Sequence, residues 1–334
     1  MDSRNLKSGK SKELVSKLLE GDRLAAARLI SIIEDDSVES SDIVREIFPH
    51  TGRAYRIGVT GPPGVGKSTL VDRLTVTLRG EGVTVGIIAV DPTSPFSGGA
   101  LLGDRVRMTD IGMDDGVFIR SMATRGNLGG LAKTTSDVAD VFDAFGKDVI
   151  LFETVGVGQS ELDIVEAADT TVVVLVPESG DSVQAMKAGL MEIADIFVVN
   201  KADREGADNA VREIEVILDM TSDQEGWTVP VLKTVAHEGD GVDALRRIID
   251  QHYRYLASKE KLAEKRRKRV RAATVGIVQE KLHSRVWNDP RIEEFLKKRV
   301  DEITTGNGTP HSAAEEILHM VGFYNHSECM KGEQ

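Results

Sequence analysis

Nine consecutive residues, Gly61-Pro62-Pro63-Gly64-Val65-Gly66-Lys67-Ser68-Thr69, fit the spacing G-x-x-x-x-G-K-[ST] at every fixed position. Residue types and spacing specify the chemistry. Glycines let successive backbone N–H groups turn onto phosphate oxygens, and a helix start behind them adds the positive end of its dipole. Lys67 would reach the β- and γ-phosphates, and the Ser68 hydroxyl would ligate Mg²⁺. A glycine-rich turn before a helix is the plain alternative. It is outweighed because an apolar strand-like run (55–60) precedes the motif and a helix-like run (70–79) follows it. The chain therefore reads as a binder of a nucleoside triphosphate.

A second group names the base. Asn200-Lys201-Ala202-Asp203 follows the apolar run 196–199 and fits N-K-x-D. A carboxylate at Asp203 accepts from both N1–H and N2–H₂ of guanine, a donor pair that adenine lacks. Asn200 would tie this loop to the phosphate loop, and the Lys201 stem would cover the base. GTP and GDP are thus the expected nucleotides. Two acids also fall at strand tips: Asp91 after Ile87-Ile88-Ala89-Val90, and Glu153 after Val149-Ile150-Leu151-Phe152. There they suit Mg²⁺, directly or through water, although each alone would also serve as a helix N-cap. Glycines after Glu153 let an amide approach the γ-phosphate.

These groups need a scaffold that brings strand ends together. Strands are expected at 55–60, 84–90, 117–121, 148–152, 170–176, 196–199 and 229–233, several of them continuous Val/Ile runs suited to burial on both faces of a parallel sheet. Helices fall between them. Leu131, Val138, Phe142 and Phe145 share one face, as do Val242, Leu245, Ile249 and Leu256. The expected fold is an α/β P-loop NTPase with a doubly wound, mostly parallel sheet and ligands at the carboxyl ends of its strands. Two short helices over 11–35, broken at Gly21, and a third near 41–48 precede it. The charged stretch 259–271 includes Lys265-Arg266-Arg267-Lys268-Arg269 and reads as a solvated helix face. Helices over 270–287, 290–303 and 311–321 follow. The expected divisions are 1–50 (helical extension), 51–258 (nucleotide domain) and 259–334 (helical arm).

Composition narrows the partners. The net charge of −12 argues against a nucleic-acid backbone or an anionic membrane. The one cysteine, Cys329, leaves no internal disulfide and no thiolate zinc cluster, which fits a reducing, cytoplasmic setting. No apolar run approaches about 18 residues, so no transmembrane helix is expected. The polar stretch 1–12 has no signal-peptide core and reads as a free end.

Taken together, the 61–69 loop, Asp91-Pro92-Thr93-Ser94, Gly98-Gly99-Ala100-Leu101-Leu102-Gly103-Asp104-Arg105, the 153–159 loop and Asn200-Lys201-Ala202-Asp203 resemble the MeaB/ArgK family. These are GTPases associated with methylmalonyl-CoA mutase, and they include the human methylmalonic aciduria type A protein. The resemblance runs from about Gly21 to the C-terminal helices. It implies that Lys67 and Ser68 bind phosphate and Mg²⁺, and that Asp91, Asp104 and Glu153 form or adjust the metal site during the GTPase cycle. It implies that 178–187 is a mobile switch coupling nucleotide state to the mutase, with Ser179 where glycine is common. It also implies that Thr234-Val235-Ala236-His237 backs the guanine with main-chain amides, Val235 standing where relatives often carry serine. Homodimerisation through the C-terminal helices is a further implication. The function expected is GTP hydrolysis by a G-protein chaperone for an adenosylcobalamin-dependent acyl-CoA mutase. A nickel-enzyme metallochaperone and a kinase of a periplasmic amino-acid transport protein are the alternatives; the few scattered histidines and the lack of a marked acceptor cleft argue against them. Gln159 offers an amide that could position the attacking water, with packing or a hinge role as its alternative.

Overall fold

Seven short apolar segments, each bounded by turn residues, become seven strands of one sheet. The structure, a computed structural model, describes residues 3–35, 39–92, 111–124, 130–154, 166–179, 190–221 and 226–323. The strands are β1 (Tyr55–Thr60), β2 (Val85–Pro92), β3 (Val117–Thr124), β4 (Val149–Glu153), β5 (Thr170–Leu175), β6 (Ile196–Asn200) and β7 (Val231–Thr234). Their order is β3-β2-β4-β1-β5-β6-β7, and every pairing is parallel. The order reverses at β1, so the crevice where such sheets bind ligands opens at the end of the strand that runs into the phosphate loop.

The helices are α1 (Ser3–Leu19), α2 (Arg23–Glu34), α3 (Ser40–Ile47), α4 (Lys67–Gly80), α5 (Gly130–Ala144), α6 (Leu190–Ile193), α7 (Ala207–Thr221), α8 (Val242–Ser258), α9 (Lys261–Trp287), α10 (Pro290–Thr304) and α11 (Pro310–Met320). Alternate residues of a strand face opposite ways, and the cores follow that period. Ile150 and Phe152 of β4 pack with Leu29, Ile43 and Phe142 of α2, α3 and α5. Val149 and Leu151 pack on the other side with Leu70, Leu74, Leu245 and Ile249 of α4 and α8. A third cluster joins Val173 and Phe197 to Ile214 of α7. Full burial of one such side chain contributes about 1.5–3 kcal/mol.

Two expectations change. Helix α1 begins at Ser3, so most of the stretch read as a free end is helical. The charged stretch and the next expected helix are one continuous helix, α9. Its basic run is not simply a solvated face. Lys265 donates to both carboxylate oxygens of Asp195 and to the Asp169 carbonyl. Arg266 and Arg269 pair with the Asp169 carboxylate at 3.4 and 3.2 Å, and that carboxylate also accepts the Arg56 amide. Asp169 and Asp195 precede β5 and β6, so these cations close the amino ends of the strands. His252 lies in the same cluster. It is 1% exposed, hydrogen-bonded to Thr170 through Nδ1 at 2.7 Å and 3.4 Å from Asp195 through Nε2.

The chain divides into two compact units, the first ending at Arg269 and the second beginning at Val270. That division falls inside α9; the sequence expectation set its boundary before the helix, at 258/259. In the second unit, Ile292 of α10 and Ala313 and Ile317 of α11 are buried, and Arg299 bridges Glu302 and Glu316. Asp289 caps α10, and Thr309 with Ser312 forms a capping box on α11. Among the described residues no helix is long and apolar enough to cross a membrane.

Candidate phosphate and base site

The phosphate loop leaves β1 through backbone that only glycine adopts comfortably. Gly61 has φ +138°, and an added Cβ would lie 2.1 Å from the Val174 carbonyl oxygen. Gly66 has φ +99°, and its added Cβ would lie 2.4 Å from Asn200 Nδ2. The loop is thus pressed between β5 and the N-K-x-D segment, and a side chain at either position would push them apart. Gly66 is the N-cap of α4, and among the described residues no side chain caps this helix. A phosphate arriving there meets the amides of the first turn and the positive dipole end. Lys67 is buried, and its ammonium bridges the Gly61 and Pro62 carbonyls at 2.7 and 2.8 Å. It is held at the start of the loop by these two carbonyls.

The acid at the tip of β4 meets the hydroxyl at the start of α4. Ser68 donates to Glu153, which is 5% exposed. Behind them Thr154 donates to the Thr60 hydroxyl at 3.1 Å, and its amide bonds to the Val59 carbonyl. Strand register sets Ala89 of β2 opposite Glu153, so the backbone of Asp91 also reaches this end of the sheet. A serine hydroxyl and a buried carboxylate are hard oxygen donors, the set Mg²⁺ takes when phosphates and water complete its shell. The donor set fits that ion. Among the described residues no group of three or more His, Cys, Asp or Glu could hold a metal by itself. Asp104, with the whole stretch 98–105, lies outside the described residues, as do Gln159 and residues 180–187; the side chain of Asp91 is likewise not described.

The base loop is tied as its asparagine predicts. Asn200 is 2% exposed and donates to the Val65 carbonyl at 2.8 Å. Its Oδ1 accepts from the Thr234 hydroxyl and the Ala236 amide, both at 3.0 Å. One amide side chain therefore joins three loops. Lys201 adopts φ +57° and donates to the Gly64 carbonyl at 2.7 Å. Its stem runs along the phosphate loop, and its charge is held there. Asp203 is exposed, and its carboxylate has no hydrogen-bond partner among the described residues.

The amides of the 234–237 loop are partly engaged. Val235 donates to Asp240 and Ala236 to Asn200, whereas the His237 amide has no partner among the described residues. The His237 side chain is exposed beside Glu238, and its carbonyl accepts from Arg73. Two contacts were not foreseen. Thr234 supplies a hydroxyl to Asn200, and Arg204, next to Asp203, pairs with Glu178 at 2.8 Å. Neither follows a sequence signal, because each depends on which strand ends become neighbours.

Comparison with known proteins gives the following likenesses. The family model described as "Methylmalonyl Co-A mutase-associated GTPase MeaB" matches residues 26–291. A Pyrococcus abyssi protein is 52% identical over 312 residues, covering 92% of this chain and 96% of its own. GTPase ArgK of Escherichia coli K12 is 34% identical, covering 92% of this chain and 96% of its own. The mouse protein named "Methylmalonic aciduria type A homolog, mitochondrial" is 29% identical over 91% of this chain and 78% of its own. Among solved structures, one described as an LAO/AO transport system kinase superposes with a TM-score of 0.73 at 23% identity, covering 96% of this chain and 99% of that one. This last likeness concerns the fold.

Proposed function

The chain belongs to the MeaB family of methylmalonyl-CoA mutase-associated GTPases, and from that premise we propose that it serves as a G-protein chaperone for an adenosylcobalamin-dependent acyl-CoA mutase. It is a GTPase. The observation that best supports guanine as the base is the Asn200 junction, which fixes Asp203 relative to the phosphate loop through Val65. The accepting carboxylate then stands at a set distance from the phosphate cradle, and a base without the paired donors leaves it unsatisfied.

Hydrolysis would proceed by positioning and charge stabilisation. The amides of α4's first turn and the Lys67 ammonium receive the phosphate oxygens, and Lys67 then faces the charge that grows on the bridging oxygen. Ser68 and Glu153 would hold Mg²⁺, Asp91 and Asp104 joining or adjusting that shell. Bound there, the ion neutralises charge on the β- and γ-phosphates. The buried Thr60–Thr154 hydroxyl pair keeps the Glu153 strand tip in register with the loop.

Support for the mutase as partner comes from the family. GTP turnover would gate cofactor loading and guard the mutase from inactivation, and residues 178–187 would carry nucleotide state to it. The second unit would join two copies as a homodimer. The test is phosphate release from GTP with and without a cobalamin-dependent acyl-CoA mutase. A clear rise in rate is expected, and its absence with every such mutase tried would overturn the chaperone reading while leaving the GTPase intact.

A further inference from the structure

Asp203 sits in a short turn closed by its own motif, the Arg204 amide donating to the Lys201 carbonyl at 3.1 Å. Upstream, Asn200 is buried in its three-loop junction, Lys201 is bonded to Gly64, and the Ala202 amide donates to the Thr234 carbonyl. Downstream, the next residue in the chain is Arg204, whose long side chain is about half exposed. A released guanidinium on that flexible stem would be within reach of the neighbouring carboxylate, and such a pairing would occupy the oxygens guanine needs. In the structure Arg204 turns instead to Glu178, Nη1 to Oε1, at 2.8 Å.

Glu178 is well placed to hold it. It lies in the 3₁₀ turn Pro177–Ser179 that leaves β5, the strand whose Val174 carbonyl backs Gly61. The turn also abuts the base loop at Gly206, where an added Cβ would lie 3.9 Å from Pro177 Cβ. The Arg204 hydrogen bond holds the Glu178 carboxyl below the usual carboxylate range, so it stays charged. Both side chains are about half exposed, at 48% and 53%. Exposed pairs contribute little to folding, so this contact is a weak stabiliser of the fold.

We propose that Glu178 is a positioning residue for guanine recognition, drawing Arg204 away from Asp203 so that this carboxylate remains open to the base. The inference rests on the reading of 200–203 as a guanine site. It predicts an asymmetry that a simple strut would not produce. Losing Glu178 frees Arg204 to compete for Asp203, whereas losing Arg204 removes the competitor.

The experiment is calorimetric titration of the full-length chain with GDP, using the wild type, Glu178→Ala, Arg204→Ala and the double variant, with melting temperatures measured alongside. Glu178→Ala should weaken GDP binding about three- to fivefold, in the range of one exposed ion pair. Arg204→Ala should stay within about twofold of wild type on the same scale. The double variant should match Arg204→Ala, and melting temperatures should not follow the affinities. Equal losses in the two single variants, additive losses in the double, or no loss with Glu178→Ala would overturn the assignment. Failure of the wild type to bind GDP would instead remove the guanine reading on which it stands.

Discussion

The Ser68 hydroxyl donates to the Glu153 carboxylate, joining residues 85 positions apart in the chain. The contact bridges the first turn of α4 and the tip of β4, the two elements that must cooperate around a nucleotide-bound cation. It also supplies a direct test. Glu153→Gln keeps an acceptor for Ser68, so the fold should survive, but it removes the negative charge. Losing a mere hydrogen-bond partner of a metal ligand typically costs about 10- to 100-fold in metal affinity, and loss of a charged oxygen donor should cost at least as much. GTP hydrolysis by Glu153→Gln should need correspondingly more Mg²⁺, with partial recovery at saturating metal. A wild-type Mg²⁺ titration curve would remove Glu153 from the metal site.

Base choice is the next test. Asp203 is open, and its loop is clamped through Asn200. Asp203→Asn replaces an acceptor by a group that also donates, which suits the 2-oxo group of xanthine rather than the 2-amino group of guanine. The native protein should prefer GTP to ATP by up to ~10⁴-fold, and the variant should prefer xanthosine triphosphate. Competition binding reads both outcomes. Equal affinity of the native chain for ATP and GTP would exclude the base assignment.

The two motifs and the strands were legible because their signals are local. Runs such as Val172-Val173-Val174-Leu175 suit only burial on both faces, and 61–69 and 200–203 each carry their chemistry within one short segment. Helix α9 was not legible as one element. Its first turns are so charged that no apolar period marks them, and the anions that receive Lys265, Arg266 and Arg269 are about 70 to 100 positions away. The same holds for Glu178 and Arg204, 26 positions apart, and for the Ala236 amide, which serves Asn200. Asparagine in N-K-x-D announces a tie to the phosphate loop, but its second set of partners appears only once β6 and β7 lie side by side.

Acid sensitivity should come from the cluster at the amino ends of the strands. Burial pushes the His252 imidazole down to about 4, against opposing pulls from Asp195 and Asp169; Lys265 reinforces the drop. A histidine whose folded pKa lies below its unfolded value of about 6.5 stabilises the fold fully above that pH. The contribution, about 3 kcal/mol on this gap, is lost as pH falls from 6.5 towards 4. Urea midpoints should therefore drop over that window. His252→Gln should be less stable at pH 7.5 but show a flatter acid limb. An unchanged acid slope in the variant would place the sensitivity elsewhere.

Assembly is tested by the apolar face of α9. Val275, Val278 and Leu282 follow one another at spacings of three and four, so they share one side of the helix. They are 48%, 50% and 39% exposed. Nearby in sequence, Val270 and Trp287 are exposed to a similar degree. Side chains of this kind at regular spacing leave apolar area in water that a second copy would cover, at about 25 cal/mol per Å² buried. The expected state is a homodimer joined through this unit. Val278→Glu and Leu282→Glu would place charges in the contact. Each should shift the protein to monomer in light scattering at micromolar concentration. Intrinsic GTP turnover should be unaffected, because neither residue belongs to the nucleotide site. A wild-type chain that is monomeric under those conditions would refute the dimer, as would either glutamate variant retaining the full dimer mass.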